Sequence, residues 1–381
     1  MGPVVVTDGK YRAVTAAVRV LGRAGYRVVV TQTRADTDAL PPAFASLYAA
    51  ETRWIDGAAS DAGYADRLFS LLTELGTASG TTDENNGKPV LLCGGAATLN
   101  AVSRQRDRFR AACRFLIAPP SALDALNDKE AVHRRCTELG LPVPKLYHGT
   151  PDRYPVVIKP HCGEKFGLHA AQRYRIANDE TAWRAALRDM APWDPDPLVQ
   201  EKVDGDGFGA SLLLGPEGNL LCALCHRRVR EYPVSGGPSS CCESVYDPAK
   251  VRQAHALLRS FGFQGLAMVE FKGPYILEVN PRIWGSFPLT EKACSPMAAL
   301  YARASAGERV EYTPRDYRSG VRMRFLLNDT LASLNLLRHG RLASAASGAL
   351  DFFRAREALW AEDDPAPFWT YLRGTLRRRG G

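Results

Sequence analysis

Residues 270 to 286 read Glu-Phe-Lys-Gly-Pro-Tyr-Ile-Leu-Glu-Val-Asn-Pro-Arg-Ile-Trp-Gly-Ser. Along a strand Glu278 and Asn280 are two apart and project from one face. A carboxylate beside an amide oxygen is a hard-oxygen pair suited to Mg²⁺, and Glu270 on the neighbouring strand completes a three-donor site. The turn decides whether it can. An odd number of loop residues sets Glu270 and Glu278 on the same face, and a two-residue loop sets them on opposite faces; the odd loop is predicted. Arg282, just past the strand, then holds a cationic fork close to the metal, where an anionic substrate or a developing acyl phosphate needs neutralising. Singly, each of these residues reads as ordinary strand or turn. The run Glu-x-Asn-Pro-Arg directly after an apolar strand, with no polar alternation behind it, is the specific feature.

The chain has 10 lysines against 39 arginines, so lysine placement is informative. Lys159 ends the apolar strand Pro155-Val156-Val157-Ile158 and precedes the loop His161 to Gly167, which contains Gly163 and Gly167. A lysine at a strand end can meet phosphate oxygens as a point charge while loop N–H groups cover them. Lys129, early in a helix, is the other candidate. Leu198 to Val203 is an apolar strand ending in Gln200-Glu201-Lys202-Val203, able to offer backbone groups to an adenine edge. Arg227, Arg228 and Arg230 end another strand; alternation puts Arg228 and Arg230 on one face and Arg227 on the other, with a substrate carboxylate as partner for the subset that faces the cleft.

Taken in order, Lys129, Ile158-Lys159-Pro160, Gln200-Glu201-Lys202-Val203 with Gly205, Glu270 and Glu278-Val279-Asn280-Pro281-Arg282 resemble the ATP-grasp superfamily of ADP-forming ligases, over about residues 1 to 300. His226-Arg227-Arg228-Val229-Arg230-Glu231 with Gly236-Gly237-Pro238-Ser239, and the Asn-Pro-Arg-Ile-Trp-Gly-Ser tail, are similar to a carbamoyl-phosphate-synthase-like branch of it. The resemblance implies an α/β and α+β chain, with a Rossmann-like pre-ATP-grasp domain followed by two lobes holding ATP. By the same resemblance Lys129 and Lys159 contact phosphates under Gly163 and Gly167, Gln200, Glu201, Lys202 and Val203 line the adenine, and Asp204 or Asp206 takes the ribose. Glu270, Glu278 and Asn280 hold Mg²⁺, with Mn²⁺ an alternative, and Arg282 faces the acyl phosphate, with Lys159 and Arg228 the other catalytic cations. The implied chemistry is transfer of the γ-phosphoryl group to a carboxylate, then attack by an amine, without a nucleophilic serine or cysteine. A bicarbonate-using carboxylase or carbamoyl-phosphate-type activity, or a nucleotide-binding scaffold without turnover, are the alternatives.

The elements that must position these residues follow from pattern. Val4 to Thr7, a helix over Ala13 to Ala24, Arg27 to Thr31, Pro89 to Cys93 and Arg114 to Ile117 alternate as parallel βαβ units, with an exposed loop at Thr77 to Lys88. A helix is predicted from Ala122 to Gly140. Beyond it come strands at Val156 to Lys159, Ala170 to Ile176, Leu198 to Val203, Ala210 to Leu214, Leu220 to Arg227, Leu266 to Phe271 and Tyr275 to Asn280, with helices at Asp179 to Met190 and Pro248 to Phe261. Helical periodicity returns around Thr330 to Leu337 and Ala349 to Leu359. The expected division is 1–118 for the α/β domain, 119–200 for a small lobe, 201–310 for a catalytic lobe and 311–381 for a helical extension whose Arg-rich end is disordered.

With 381 residues, 45% hydrophobic and 24% charged, the chain can bury substantial cores, and disorder is excluded as its general state. No apolar run approaches the roughly 20 residues of a membrane span, and the N-terminus lacks a signal-peptide pattern, so a cytoplasmic protein is expected. The net charge of +8 comes from scattered arginines, which speaks against nucleic acid as a partner. The partners expected are small carboxylate and amine substrates, with a homodimer left open. The 9 cysteines are read as reduced thiols. Cys222-Ala-Leu-Cys225-His226 matches a haem-attachment pattern but sits in an apolar strand, and Thr7-Asp8-Gly9-Lys10 lacks phosphate-loop spacing. Trp284 is read as core ahead of a lid.

Overall fold

The computed structural model of the chain describes residues 2–78, 87–162, 173–233, 237–339, 348, 350–352 and 354–380. Strand β1 (Val4–Val6) is all valine and buried, and β2 (Val28–Thr33), three valines then Thr-Gln-Thr, is buried too; with β3 (Glu51–Ile55) and β4 (Val90–Leu92) they make a parallel sheet in the order β3-β2-β1-β4. Continuous apolar strands need cover on both faces. Helix α1 (Arg12–Arg23) sends Val14, Ala17, Val18 and Leu21 against Val4 and Val6, and α2 (Tyr64–Thr77) sends Leu68, Leu72 and Leu75 against Val5 and Val29. Helices α3 (Ala96–Arg104) and α4 (Arg106–Ala112) follow β4. The strand predicted at Arg114 to Ile117 is only a single bridge, Val90 to Arg114. Beyond it the Leu116 N–H donates to the Tyr301 hydroxyl at 3.3 Å, so no ladder continues. The loop predicted at Thr77 to Lys88 lies mostly outside the described residues.

The single helix predicted from Ala122 to Gly140 is two, α5 (Pro120–Asn127) and α6 (Lys129–Glu138). Asp128 leaves helical geometry at φ −85° and ψ 112°, and its carboxylate accepts the N–H groups of Glu130 and Ala131. An Asx cap of this kind starts a helix where one was already running, and it fixes Lys129 as the first residue of α6. A small antiparallel sheet, β6-β5-β7, joins β5 (Val156–Lys159), β6 (Arg175–Ala177) and β7 (Leu198–Glu201), and α7 (Glu180–Met190) covers it with Trp183, Ala186 and Met190. The N-terminal part of the strand predicted at Ala170 to Ile176 falls outside the described residues.

The main sheet has the order β12-β11-β8-β9-β10-β13-β14. Its strands are β8 (Gly207–Leu214), β9 (Leu220–Glu231), β10 (Ser239–Val245), β11 (Gly265–Lys272), β12 (Tyr275–Asn280), β13 (Arg322–Arg324) and β14 (Arg356–Glu357). One face packs Ala210, Leu212, Val269 and Phe271 on α5 and on α8 (Pro248–Ser260). The other packs Leu213, Leu224, Leu266 and Met268 with Trp284, α9 (Pro288–Lys292), α10 (Met297–Ser305) and α1. Trp284 is core, 1% exposed.

The C-terminal stretch is not a helical extension alone. β13 pairs with β10, and β14 pairs parallel with β13, where continued helix had been predicted over Ala349 to Leu359. Helix α11 (Leu326–Arg338) brings Asp329 onto Arg230, which it holds through Nε at 2.8 Å and Nη2 at 2.9 Å, while Asp351 takes Nη1 at 2.7 Å. The helical part of the stretch includes α12 (Ala366–Gly380), which packs on the segment around Pro42–Ala45. Just before α12, buried Asp364 accepts from Arg19 Nε at 2.8 Å, Ser46 Oγ at 2.6 Å and the Leu47 N–H at 3.0 Å. Asp364→Ala leaves a fully buried guanidinium without its main partner, and thermal or urea unfolding should show a loss of about 3–5 kcal/mol. Asp363→Ala, which breaks a half-exposed pair with Arg23, should cost no more than about 1 kcal/mol.

Candidate active site

The connection between β11 and β12 is Gly273-Pro274, two residues and not the odd number predicted. Unbroken alternation would then set Glu270 opposite Leu277. The register instead runs Lys272 to Tyr275 and Phe271 to Ile276, slips by one around Leu277, and resumes with Glu270 opposite Glu278 and Met268 opposite Asn280. Directly opposed residues of an antiparallel pair share a face, so a bulge supplies what the loop withholds. Asn280 Nδ2 donates to Glu270 Oε1 at 2.9 Å. The tight turn rests on glycine: Gly273 has φ 54°, and a Cβ on Gly205 would lie 2.8 Å from the Gly273 Cα.

Two lysines reach the acids, Lys129 from α6, which packs on β12, and Lys159 from the end of β5 in the small sheet. Lys129 Nζ lies 3.5 Å from Glu278 Oε2, and Lys159 Nζ donates to the Leu277 carbonyl at 3.5 Å. His161 ties their elements together, its carbonyl accepting the Lys129 N–H at 3.2 Å while its ring meets Asp194 at 3.0 Å and Glu130 at 3.3 Å. Between the small sheet and β12 lies a narrow gap, lined by Lys129, His133, Leu146, Lys159, Gln200 and Leu277, with room as it stands for about one water molecule.

The remaining expected contacts are distributed unevenly. The Glu201 N–H donates to the Lys145 carbonyl at 2.8 Å and the Lys202 N–H to Pro155 at 3.2 Å, so these two groups serve the lobe itself. Lys202 Nζ meets Asp204 at 2.8 Å, while Asp206 sits at the hairpin tip, its carbonyl accepting the Gly273 N–H. Val203 is half-buried between them. Gly163 and Gly167 lie outside the described residues. Arg282 lines a second cavity with Cys93, Leu116, Phe263 and Tyr301, toward the N-terminal sheet, and its Nη1 donates to the Ile283 carbonyl at 2.9 Å.

The arginines of β9 do not alternate as predicted. Cys242 pairs with Arg228 and Cys241 with Arg230, so the register slips around Val229 and the two arginines part. Arg228 turns to Glu270 Oε2, which its Nη2 grips, whereas Arg230 turns to Asp329 and Asp351. Sequence reasoning missed Glu231, 3.4 Å from Arg228 Nη1, and the packing of His226. The His226 ring lies over Gly209, where a Cβ would come within 2.3 Å of Cε1, and Ser286 Oγ is 3.3 Å from its Nε2. The Gly-Phe-Gly spacing at 207 to 209 was the available sign, since glycine inside a strand marks a close approach.

Burial sets the charge states. It raises the Glu270 carboxyl, with Arg228 opposing and Glu278 adding to the rise. Burial also pushes Glu278 upward, but Lys129, Lys159 and Arg228 together outweigh it and hold that carboxyl below its ordinary value. Lys159 is lowered to about 8 by burial, against the pull of Glu278. His226 is lowered to about 3 by burial and by Arg228. Among the described residues no group of three or more His, Cys, Asp or Glu could hold a metal, so a metal here depends on the Asn280 amide oxygen as the third donor. Two carboxylates and an amide on one face, ringed by cations, suit a hard divalent ion or a polyphosphate bearing one.

Residues 126–286 match the family model for the ATP-grasp domain. The carbamoyl phosphate synthase large chain of Streptomyces avermitilis is 27% identical over 219 residues, covering 50% of this chain and 19% of that one. The chain thus spans about a fifth of the length of the curated relatives it matches. Among solved structures, the 2-oxoglutarate carboxylase biotin carboxylase domain dimer of Hydrogenobacter thermophilus, in complex with MgADP, ADP and bicarbonate, superposes with a TM-score of 0.59 at 14% identity over 84% of this chain and 73% of that one. The L-amino acid ligase of Bacillus licheniformis gives 0.57 at 15% identity over 80% of this chain and 74% of that one.

The histidine yields a pH dependence with a definite sign. His226 stays neutral in the fold down to about pH 3, whereas in the unfolded chain it takes up a proton below about 6.5. Folding stability attributable to it is therefore complete above about pH 6.5 and lost as the pH falls toward 3, by up to about 1.4 kcal/mol per unit. Urea titrations between those limits should show a shallower slope for His226→Gln than for the wild type.

Proposed function

The chain belongs to the ATP-grasp superfamily, on the branch that resembles the large chain of carbamoyl phosphate synthase, and we propose that it is an ADP-forming ligase that activates a carboxylate as its acyl phosphate and joins it to an amine. The observation that carries this reading is the pairing of Glu270 with Glu278 on one face, with Asn280 beside them, Lys129 reaching Glu278 and Lys159 arriving from the small sheet. Glu270, Glu278 and Asn280 would hold Mg²⁺, or Mn²⁺, which supplies charge neutralisation on the phosphoryl group in transit. Lys129 and Lys159 stand where phosphate oxygens of a nucleotide would need a counter-charge. Gln200 lines the gap, Glu201, Lys202 and Val203 follow it in sequence toward the adenine, and Asp206, whose carbonyl accepts the Gly273 N–H, takes the ribose. Arg228 offsets the charge of the incoming carboxylate, and Arg282 that of the product acyl phosphate.

In this reading residues 1–118 form one wall of the substrate site, 119–200 and 201–310 the two lobes around the nucleotide, and 311–381 a brace on the far edge of the sheet. The matched ligases and carboxylases share the ATP-grasp fold and differ in substrate, so the amine and the carboxylate follow from experiment. Among the described residues no helix is long and apolar enough to cross a membrane.

The test is ADP release with pooled carboxylic and amino acids, with hydroxylamine as a trap. Hydroxamate formation is the expected outcome. ADP release that depends on bicarbonate alone would move the protein to the carboxylase chemistry, and nucleotide binding without turnover in every pool would make it a scaffold. Glu278→Gln and Lys159→Ala should each reduce turnover by at least about a thousandfold, the order expected for transition-state charge partners, with circular dichroism unchanged. Activity retained in both would refute the assignment.

A further inference from the structure

Both oxygens of Glu270 are occupied by the protein itself: Oε1 accepts from Asn280 Nδ2 at 2.9 Å, and Oε2 is gripped by Arg228 Nη2. The guanidinium thus stands at the carboxylate where a divalent cation is expected. Arg228 also has a second berth, incompletely made. Its Nη1 lies 3.4 Å from Glu231 Oε1 and 3.5 Å from the Gly237 carbonyl, both longer than a good charge-assisted bond, and its buried Nε has no hydrogen-bond partner among the described residues. Space for this fork is cut by Gly207, where a Cβ would come within 2.7 Å of Arg228 Cδ and 3.2 Å of Glu231 Oε1.

A divalent ion and a guanidinium repel in proportion to the product of their charges, and at low effective dielectric they do not share one carboxylate without cost. When a metal takes Glu270, the cheapest move for Arg228 is the short one toward Glu231, where two N–H groups can meet two oxygens as a planar fork. We propose that Glu231 is a positioning residue: it receives the Arg228 guanidinium when a divalent cation displaces it from Glu270, and holds it poised for the substrate carboxylate. This rests on the metal-site reading above. Until the metal arrives, Arg228 serves as its stand-in and keeps the two facing acids neutralised.

The experiment is a titration of the full chain with MnCl₂, free Mn²⁺ being read by EPR and the unfolding temperature followed in parallel. Glu231→Gln should weaken Mn²⁺ binding about tenfold, because Arg228 then has nowhere to go, and Glu231→Asp should recover part of the loss. With Arg228→Met the competing cation is gone, so adding Glu231→Gln should change the affinity less than about twofold; Arg228→Gln serves the same purpose if the methionine variant folds poorly. Equal weakening in both backgrounds would mean that Glu231 acts only through its own charge or through the fold, and would overturn the proposal, as would no weakening at all. Failure of the wild type to bind Mn²⁺, or binding unchanged by Glu270→Gln, would overturn the metal-site reading itself and the proposal with it.

Discussion

Two carboxylates held face to face on adjacent strands are the constraint to which the rest of this molecule answers. Two like unit charges about 4 Å apart repel by roughly 4 kcal/mol at the effective dielectric of a protein surface. Glu270 and Glu278 are directly opposed, so the surrounding chain must supply cations or accept a protonated acid. It supplies three, from three separate elements: Lys129 at the head of α6, Lys159 at the end of β5 and Arg228 on β9. Lys129 comes from a helix packed on β12 itself and Lys159 from the small sheet, so the acids draw charge from both sides of the gap.

Two register slips create this site, and with a two-residue turn regular strands could not. On β12 the bulge around Leu277 swings Glu278 and Asn280 onto the face of Glu270. On β9 the slip around Val229 sends Arg228 to that face while Arg230 goes to the opposite one. With strict alternation Arg228 and Arg230 would crowd together at the acids, Asp329 would lose the guanidinium it holds, and Asp351 would keep only Arg322. Bulges cost ladder bonds and add local twist; here each one converts a two-residue period into a choice of face for a single charged side chain.

The parts of the fold legible in the sequence were those written as pattern. Apolar runs gave β1, β2 and β4 of the parallel sheet but not β3, whose Glu-Thr-Arg-Trp-Ile carries no such run, alternating and apolar segments gave β5, β7, β8, β9, β11 and β12, and Lys129 and Lys159 lie beside Glu278 and Leu277. What escaped was decided by single residues or by partners far along the chain. Asp128 splits a helix because its carboxylate prefers two backbone N–H groups to helical continuity, and nothing in the apolar period announces that. β10, β13 and β14 carry cysteines, serines and arginines, so their strands are specified by neighbours across the sheet and by the Arg230 to Asp329 pair. The facing of Glu270 and Glu278 was anticipated, but through an odd loop; the two-residue turn with a bulge gives the same result because face depends on the sum of loop and bulge residues, and a sequence reports neither count.

The two ends of the chain are tied to the site through buried charge, and this bears on how rigid the site can be. Arg230 with Asp329 and Asp351 lies at the far edge of the sheet, and Arg19 with Asp364 joins α1 to the start of α12. Buried ion pairs of this sort add little net stability over an apolar substitute, because desolvation consumes most of the attraction, but they are intolerant of displacement: a shifted partner leaves a bare charge inside. Apolar cores permit small slides that such pairs forbid. A sheet clamped at its outer edge and at its N-terminal neighbour keeps β9 and β11 in fixed register, and that fixed register allows one guanidinium on β9 to meet one carboxylate on β11. The contacts made on that register are side-chain ones, Arg228 on Glu270 and the Asn280 amide beside it.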